Sequence, residues 1–588
     1  MRVKSLFVLL CFVILSAVPV SAAADVVVGT GSPASCTESV LQAAVTTVNG
    51  ASGGVISFNC GGAHSIALTQ QLRFDQPNAV YTLNGGGLIT LNGNDQTRLI
   101  YTASGQKLTL TVRGLTLTHG RAAFDSGSER AANQGGAIYS GYENTLIVEN
   151  VDFVSNSALA ERHEYHGGGA LAIDTTSRVT LTDSTFTDNS APNGGAINNL
   201  LSILTIERCT FTLNESTSAT PGGGGAIYND AGKLTILSSH ISNNIAANLG
   251  GGIFTWAHNV NGAYSGKTVI RDTTIDSNQA EHGGGLWKGG FYVLELTRSS
   301  VTHNSAVERG AGISGTGPGK NFSIINSTIA YNTVLNTGSA AGIFSANAPS
   351  TIKNSTIAFN TVPNDASSVG AAIHGDVRLT NTILLGNTGG WNNEWSCMGN
   401  IIDGGHNLQF PGNTCGGSIP TRDARLSLTL APIYAVLTFG QTQTLAPELD
   451  SPAINKGADC PLTDQRKVAR PQGNACDIGA HELEVVLVMA PVIIAPVNGA
   501  TGVARQPEIQ WTHSLGAVKY KITLKKANGS VFYTVTRAAD SFGCAPTCTF
   551  SLASAGKILA ANKRYGLTVQ AVNPFMKRRT TLGFRTTP

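Results

Sequence analysis

A phrase that returns every 26 to 33 residues between about 130 and 390 constrains this chain more than any other feature. Its first half reads Gly-Gly-Ala-Ile or a near variant, at Gly135 to Ile138, Gly168 to Leu171, Gly194 to Ile197, Gly224 to Ile227, Gly250 to Ile253, Gly283 to Leu286 and Gly310 to Ile313. It recurs more loosely around Ile343 and Ile373. Its second half sets an apolar residue three positions before an Asn: Phe153 with Asn156, Phe186 with Asn189, Phe211 with Asn214, Ile241 with Asn244 and Ile275 with Asn278. Val301 with Asn304, Ile329 with Asn332, and Ile357 with Asn360 continue it. Runs such as Leu204-Thr205-Ile206 and Leu234-Thr235-Ile236 alternate between the halves, as half-buried strands do. A fixed period of this length marks a solenoid.

One such coil cannot bury its apolar side alone, but stacking at about 4.8 Å per coil pairs every strand and superposes identical turns. Asn at the same turn of successive coils can bond into a ladder and tolerates a left-handed backbone. Glycine at the opposite corner supplies positive φ and close approach. The expected fold is therefore all-β, a right-handed parallel β-helix. A phosphate-binding reading of the glycines fails, because no strand, loop and helix surrounds them.

Composition agrees: among 588 residues there are 68 Gly, 41% are hydrophobic and only 13% are charged, too apolar for disorder and too glycine-rich for a helical protein. A net charge of +3 supplies no broad basic field, so nucleic acid is not expected as a partner. Arg2 and Lys4, the apolar Leu6 to Val18 and the small residues Val20-Ser21-Ala22 read as an export signal cleaved between Ala22 and Asp25. No later segment reads as a transmembrane span, and the mature chain is expected to be secreted or held at the cell surface or outer membrane.

Cys11 leaves with the signal. Eight cysteines then form close pairs in sequence, Cys36 with Cys60, Cys397 with Cys415, Cys460 with Cys476 and Cys544 with Cys548, as an exported chain allows. None has the spacing of a zinc knuckle, so disulfides rather than metal are expected. Cys209 falls in a column of small residues two positions before each second-half apolar residue, Val151, Ser184, Cys209, Ser239, Thr273, Ser299, Ser327 and Ser355. That parity points inward and makes Cys209 a buried free thiol rather than a nucleophile. The segment Cys36 to Val45 reads as an amphipathic helix capping the amino end.

Two candidate sites follow from the repeat. The residue after each inward Ile or Leu points outward, and three adjacent coils carry Tyr228, Phe254 and Trp287 there, with Trp256 in the same parity. An exposed aromatic stripe of this kind would bind sugar rings, and truncating one of its rings would leave the fold intact. The alternative is a cover supplied by loops such as Asn259 to Gly266. Catalysis would need converging charges, and Glu281, His282, Glu308 and Arg309 precede the glycine corner on adjacent coils, with Glu161 to His166 a longer charged loop. A solvated charged turn is the usual state of such residues and is the reading preferred for them here. The reading adopted is a carbohydrate-binding or adhesin-like protein for polysaccharide or surface glycans. A polysaccharide lyase or glycoside hydrolase is the alternative. No cofactor is expected, and Ca²⁺ would enter only with lyase chemistry.

The paired phrases resemble the repeats of chlamydial-type polymorphic outer membrane proteins and, more broadly, the pectate-lyase-like β-helix proteins that bacteria export. The resemblance spans about 260 residues and implies a right-handed parallel β-helix with a surface adhesin role. Those proteins end in a membrane barrel, whereas this chain ends in a soluble-looking segment. A second segment, Ser451 to Gly457 with Asp464-Gln465-Arg466, Arg470-Pro471 and Cys476 to Glu482, resembles the closing segment of exported β-helix proteins of the choice-of-anchor class. Lys467 stands where glycine is expected and Asn455 where Asp is. Asp464, Arg466, Asp477 and Glu482 are expected to be ion pairs closing the last coil rather than a site. Residues 497–588 resemble a fibronectin type III or immunoglobulin-like sandwich, with Trp511 on an early strand and Tyr565 to Val569 on a late one. The expected division is signal 1–24, cap and irregular coils 25–130, regular coils 131–430, closing segment 431–484, linker 485–496 and sandwich 497–588.

Overall fold

The structure, a computed structural model, describes residues 23–122, 133–159, 166–219, 222–257, 266–317, 322–390, 395–431 and 439–588. The signal, Glu161 to Tyr165 and nearly all of the Asn259 to Gly266 loop lie outside them. The body is a parallel β-solenoid of about 12 turns. Inward columns run straight through it: Val148, Leu181, Ile206, Ile236, Ile270 and Leu296 are successive register partners. So are Phe153, Phe186, Phe211, Ile241, Ile275 and Val301, whose three Phe rings stack at 4.4 and 4.6 Å. Each such side chain is fully buried and contributes about 1.5–3 kcal/mol by leaving water.

The Asn ladder is continuous. The Nδ2 of each of Asn156, Asn189, Asn214, Asn244, Asn278, Asn304, Asn332 and Asn360 donates to Oδ1 of the next Asn at 2.8–3.0 Å, ending on Asn387. The same Oδ1 accepts the preceding Asn's backbone N–H, and Nδ2 also donates to the carbonyl of that coil's inward apolar residue, so each side chain satisfies the buried main chain of the coil before it. The left-handed residue is not the Asn. It is the one before it, as at Asp188, Leu213, Asn243 and Ser277, with φ between 55 and 57°. That residue makes the corner and turns the Asn inward, where its amide replaces the strand hydrogen bonds that stop there. At the opposite corner the first glycine does take positive φ, 65° at Gly250. A Cβ on Gly252 would lie 2.7 Å from Gly285 O in the next coil. Replacing Asn244 by Ala is expected to cost about 1–3 kcal/mol, since the backbone N–H and Nδ2 of Asn214 both lose their bond to Asn244 Oδ1, while an exposed Thr→Ala control costs little. Denaturant midpoints of the two variants check this.

The column of small residues is buried, and Cys209 within it is a free thiol. Its sulfur donates to Glu207 O at 3.4 Å, and burial pushes the thiol up to about 12. Cys209 is expected to resist thiol reagents in the native protein and to label once in denaturant. A single rapidly labelled native thiol would contradict its burial. The other eight cysteines form the four expected disulfides.

The cap helix runs Glu38–Gly50, five residues beyond the expected end, with Thr37 Oγ1 accepting Val40 N and Leu41, Ala44, Val45 and Val48 buried. Residues 439–482 do not simply close the last coil. They turn back along the outside of the wall, where Ala480 N bonds Thr356 Oγ1, Thr328 Oγ1 bonds Gln465 Oε1 and Gly479 N bonds Asn381 O. Outward-facing Ala330, Ala358 and Leu385 would otherwise be exposed, and they pack with Leu426, Leu445, Ala453 and Ile478. Lys467 takes φ 72° and Asn455 φ 56°, so the turns keep a glycine-like backbone without glycine.

Beyond this, a three-stranded antiparallel sheet (Ile493–Ala495, Glu508–Thr512, Thr547–Ser551) faces a four-stranded one (Lys519–Lys526, Val531–Ala538, Arg564–Val572, Lys577–Arg585). They share one core around Trp511, Tyr520, Ile522, Leu567 and Phe584.

Candidate functional site

The outward residues of the first half-coil form one register column: Asn198, Tyr228, Phe254, Trp287, Ser314, Phe344 and His374. Tyr228 and Phe254 stack at 4.5 Å, Phe254 and Trp287 at 4.8 Å, and Trp256 lies against Trp287 at 5.7 Å. The stripe is thus real, but its expected exposure is not met. Tyr228, Phe254 and Trp287 are only 3, 4 and 5% exposed. They form a small apolar cluster of their own outside the solenoid core, with Leu200 and the partly buried Leu249 and Trp256. Pointing out of the coil wall is therefore not the same as meeting solvent.

The charged corner adjoins that column. His282 and Arg309 are register partners, and bridges link His282 back to Leu249 and Arg309 on to Ser339. Ligand atoms of Glu281, His282 and Glu308 all lie within 4.8 Å of one another, with His282 Nε2 3.8 Å from Glu308. The glycine corner folds each coil so that the residue after Arg309 comes against the outward residue of the next strand: a Cβ on Gly310 would touch the Ser314 Cβ. The Arg309 guanidinium sits over the Phe344 ring at 5.2 Å, and Phe344 meets His374 edge-on at 5.3 Å. The two sites that compete in the sequence are one continuous face.

Electrostatics there favour neutral imidazoles. Burial lowers the His282 pKa, and the Arg309 charge lowers it further against the pull of Glu308 and Glu281; burial likewise lowers that of His374. Ser314 Oγ, His282 Nδ1, Arg309 Nε and His374 Nδ1 are buried and have no hydrogen-bond partner among the described residues. Four polar atoms with unused capacity, on three of four successive coils, are costly unless a ligand satisfies them. One imidazole with two carboxylates could hold a transition-metal ion, and it is not the all-oxygen set that suits Ca²⁺.

Behind the stripe, on the inward side, a polar network was not visible in the repeat. Asn199 donates to Asn229 at 2.6 Å, Asn229 to Tyr292 at 2.6 Å and to Thr255 at 3.2 Å, and the Lys288 ammonium donates to Gly290 O at 3.1 Å. Lys288 is wholly buried, and desolvation lowers its ammonium to about 8.

No family model matches the chain, and no curated protein does. Among solved structures, the A-module of the Azotobacter vinelandii mannuronan C-5 epimerase AlgE6 is similar, with 14% identity and a TM-score of 0.35. The match covers 63% of this chain and 95% of that one.

Proposed function

We propose that the chain is an exported or cell-surface glycan-binding protein of adhesin type, whose ligand docks on the face formed by His282, Arg309, Ser314 and His374. The observation that carries this reading is the set of four unpaired buried polar atoms beside stacked rings, since sugar hydroxyls supply donors and acceptors together with an apolar ring face. Trp256, the least buried ring of the stripe, is the stacking partner; Tyr228, Phe254 and Trp287 form the packed floor beneath it. Four disulfides suit an oxidising compartment.

Cleavage of a polysaccharide is the second reading. Glu281 and Glu308 flank a neutral His282, which supplies a pair of carboxylates and a base at one corner. The experiment is binding of a polysaccharide panel to the wild type, Arg309→Ala and His282→Ala, with unsaturated product and new reducing ends followed in parallel. Binding lost in Arg309→Ala without turnover in any sample supports the first reading. Turnover that disappears in His282→Ala establishes the second, and binding unchanged in both variants removes this face from either.

A further inference from the structure

The near-neutral whole-chain charge conceals a division. Residues 497–588 hold 13 Lys and Arg against 2 Asp and Glu, a formal +11, so a chain of net +3 leaves −8 for the remainder. In the four-stranded sheet, Tyr520, Ile522 and Leu524 point into the core, so Lys519, Lys521, Thr523 and Lys525 point away from it. Register carries this parity across two more strands. Lys519 pairs Val572 and Val572 pairs Lys577; Lys521 pairs Gln570 and Gln570 pairs Arg579; Arg564 pairs Arg585. Seven cations therefore share one outer face, all of them exposed, and both acids of the segment, Glu508 and Asp540, lie elsewhere. None of the seven forms an ion pair among the described residues.

We propose that this face binds a polyanionic polysaccharide, sulfated or carboxylated, as a site separate from the one on the solenoid. Charge complementarity gives the sign of the ligand, and the middle of the face gives its class. Between the cationic rows lies a row of hydroxyls, Thr523, Thr568 and Thr581, followed by Gly566 and Gly583. Hydroxyls flanked by cations about 4.8 Å apart across strands suit a chain that alternates anionic groups with hydroxyls. A Cβ on either glycine would meet nothing closer than 3.8 Å, so the floor there is open by want of side chains. The face continues into a cleft of about 690 Å³ between Lys525, Lys526, Arg564 and Arg585.

Duplex DNA would call for an element that enters a groove, and single strands for aromatic platforms. The outward positions of these three strands carry no aromatic ring, and residues 497–588 hold no α-helix that could lie in a groove. Membrane insertion would call for exposed large apolar side chains, and those positions carry only the half-buried Val572.

The test uses the full chain with dextran sulfate, uncharged dextran of equal length, duplex DNA and phosphatidylserine vesicles, at several salt concentrations. Dextran sulfate is expected to bind and dextran not. Lys521→Glu with Arg579→Glu should weaken dextran sulfate at least about tenfold, and the charge-neutral Lys521→Gln with Arg579→Gln should lower the slope of log affinity on log salt by about two. Both pairs are exposed, so melting curves should match the wild type. Arg113→Ala, at an exposed cation of the solenoid outside both faces, should leave dextran sulfate binding unchanged, which shows that the effect belongs to the sheet and not to cationic charge in general. Affinity unaltered in both double variants, or tighter binding of DNA or vesicles than of dextran sulfate, overturns the proposal.

Discussion

Arg470→Met is expected to destabilise the protein by about 3–5 kcal/mol, because it leaves a buried carboxylate without its cation. Arg470 and Glu482 side chains are each only 1% exposed, and their charged ends lie 3.2 Å apart. Arg470 also donates to Asp477 O and Gly479 O, while Glu482 accepts the backbone N–H of Gln472 and Asp477. The pair thus ties together the two sides of the closing turn, 470–472 and 477–482. Arg466 adds the second tie, joining Asp464 at 3.0 Å and the Glu482 carbonyl at 2.6 Å. The double substitution Arg470→Met with Glu482→Leu should cost less than the sum of the singles, since the lone charge is gone. It should not return to wild type, because two backbone N–H groups still lack acceptors. Denaturant unfolding of the two singles and the double measures this. A single within about 0.5 kcal/mol of wild type would mean that the turn is not held by this pair.

The solenoid was legible because one physical unit is repeated. Each Asn and each glycine corner recurs with the same neighbours, so a weak signal at Asn244 becomes strong when eight coils carry it. Cys209 could be placed for the same reason: its column of Ser and Thr is inward at every other coil. Repetition carries no information about what lies over the wall. Tyr228, Phe254 and Trp287 face out of the coil as their parity requires, yet they are covered, since parity names a side of the strand and not the next layer. The closing segment shows the same limit, because its return along Thr328, Thr356 and Asn381 is a contact between distant parts of the chain. Lys288 breaks the inward pattern at one coil, and the polar column it continues, after Asn229 and Thr255, together with its bond to the Gly290 carbonyl, shows how a lysine lies inside. The union of stripe and charged corner was hidden by the glycine fold, which brings Gly310 against Ser314 and leaves the Arg309 guanidinium over Phe344 of the same column. Net charge misled by averaging, since the basic face of the carboxyl-terminal sheet offsets an acidic remainder.

Trp287→Ala is expected to cost about 3–5 kcal/mol of stability, the range for removing a large aromatic side chain from a packed site. The indole is 5% exposed and is stacked on Phe254 at 4.8 Å and Trp256 at 5.7 Å, both on the preceding coil, so truncation opens a cavity in the outer cluster and takes a ring contact from both neighbours. Outward parity alone leads to the opposite expectation, an intact fold with weakened ligand binding. Trp256→Ala separates the two. Trp256 is only partly buried, so its truncation should cost less stability than that of Trp287 and should weaken glycan binding if the ring is the stacking partner. The measurement is the denaturant midpoint of each variant, followed by glycan affinity on whichever remains folded. An unchanged midpoint for Trp287→Ala would show that the stripe is not covered in solution and would restore it as an open platform. A lowered midpoint with unaltered affinity in Trp256→Ala would instead confine ligand contact to His282, Arg309, Ser314 and His374.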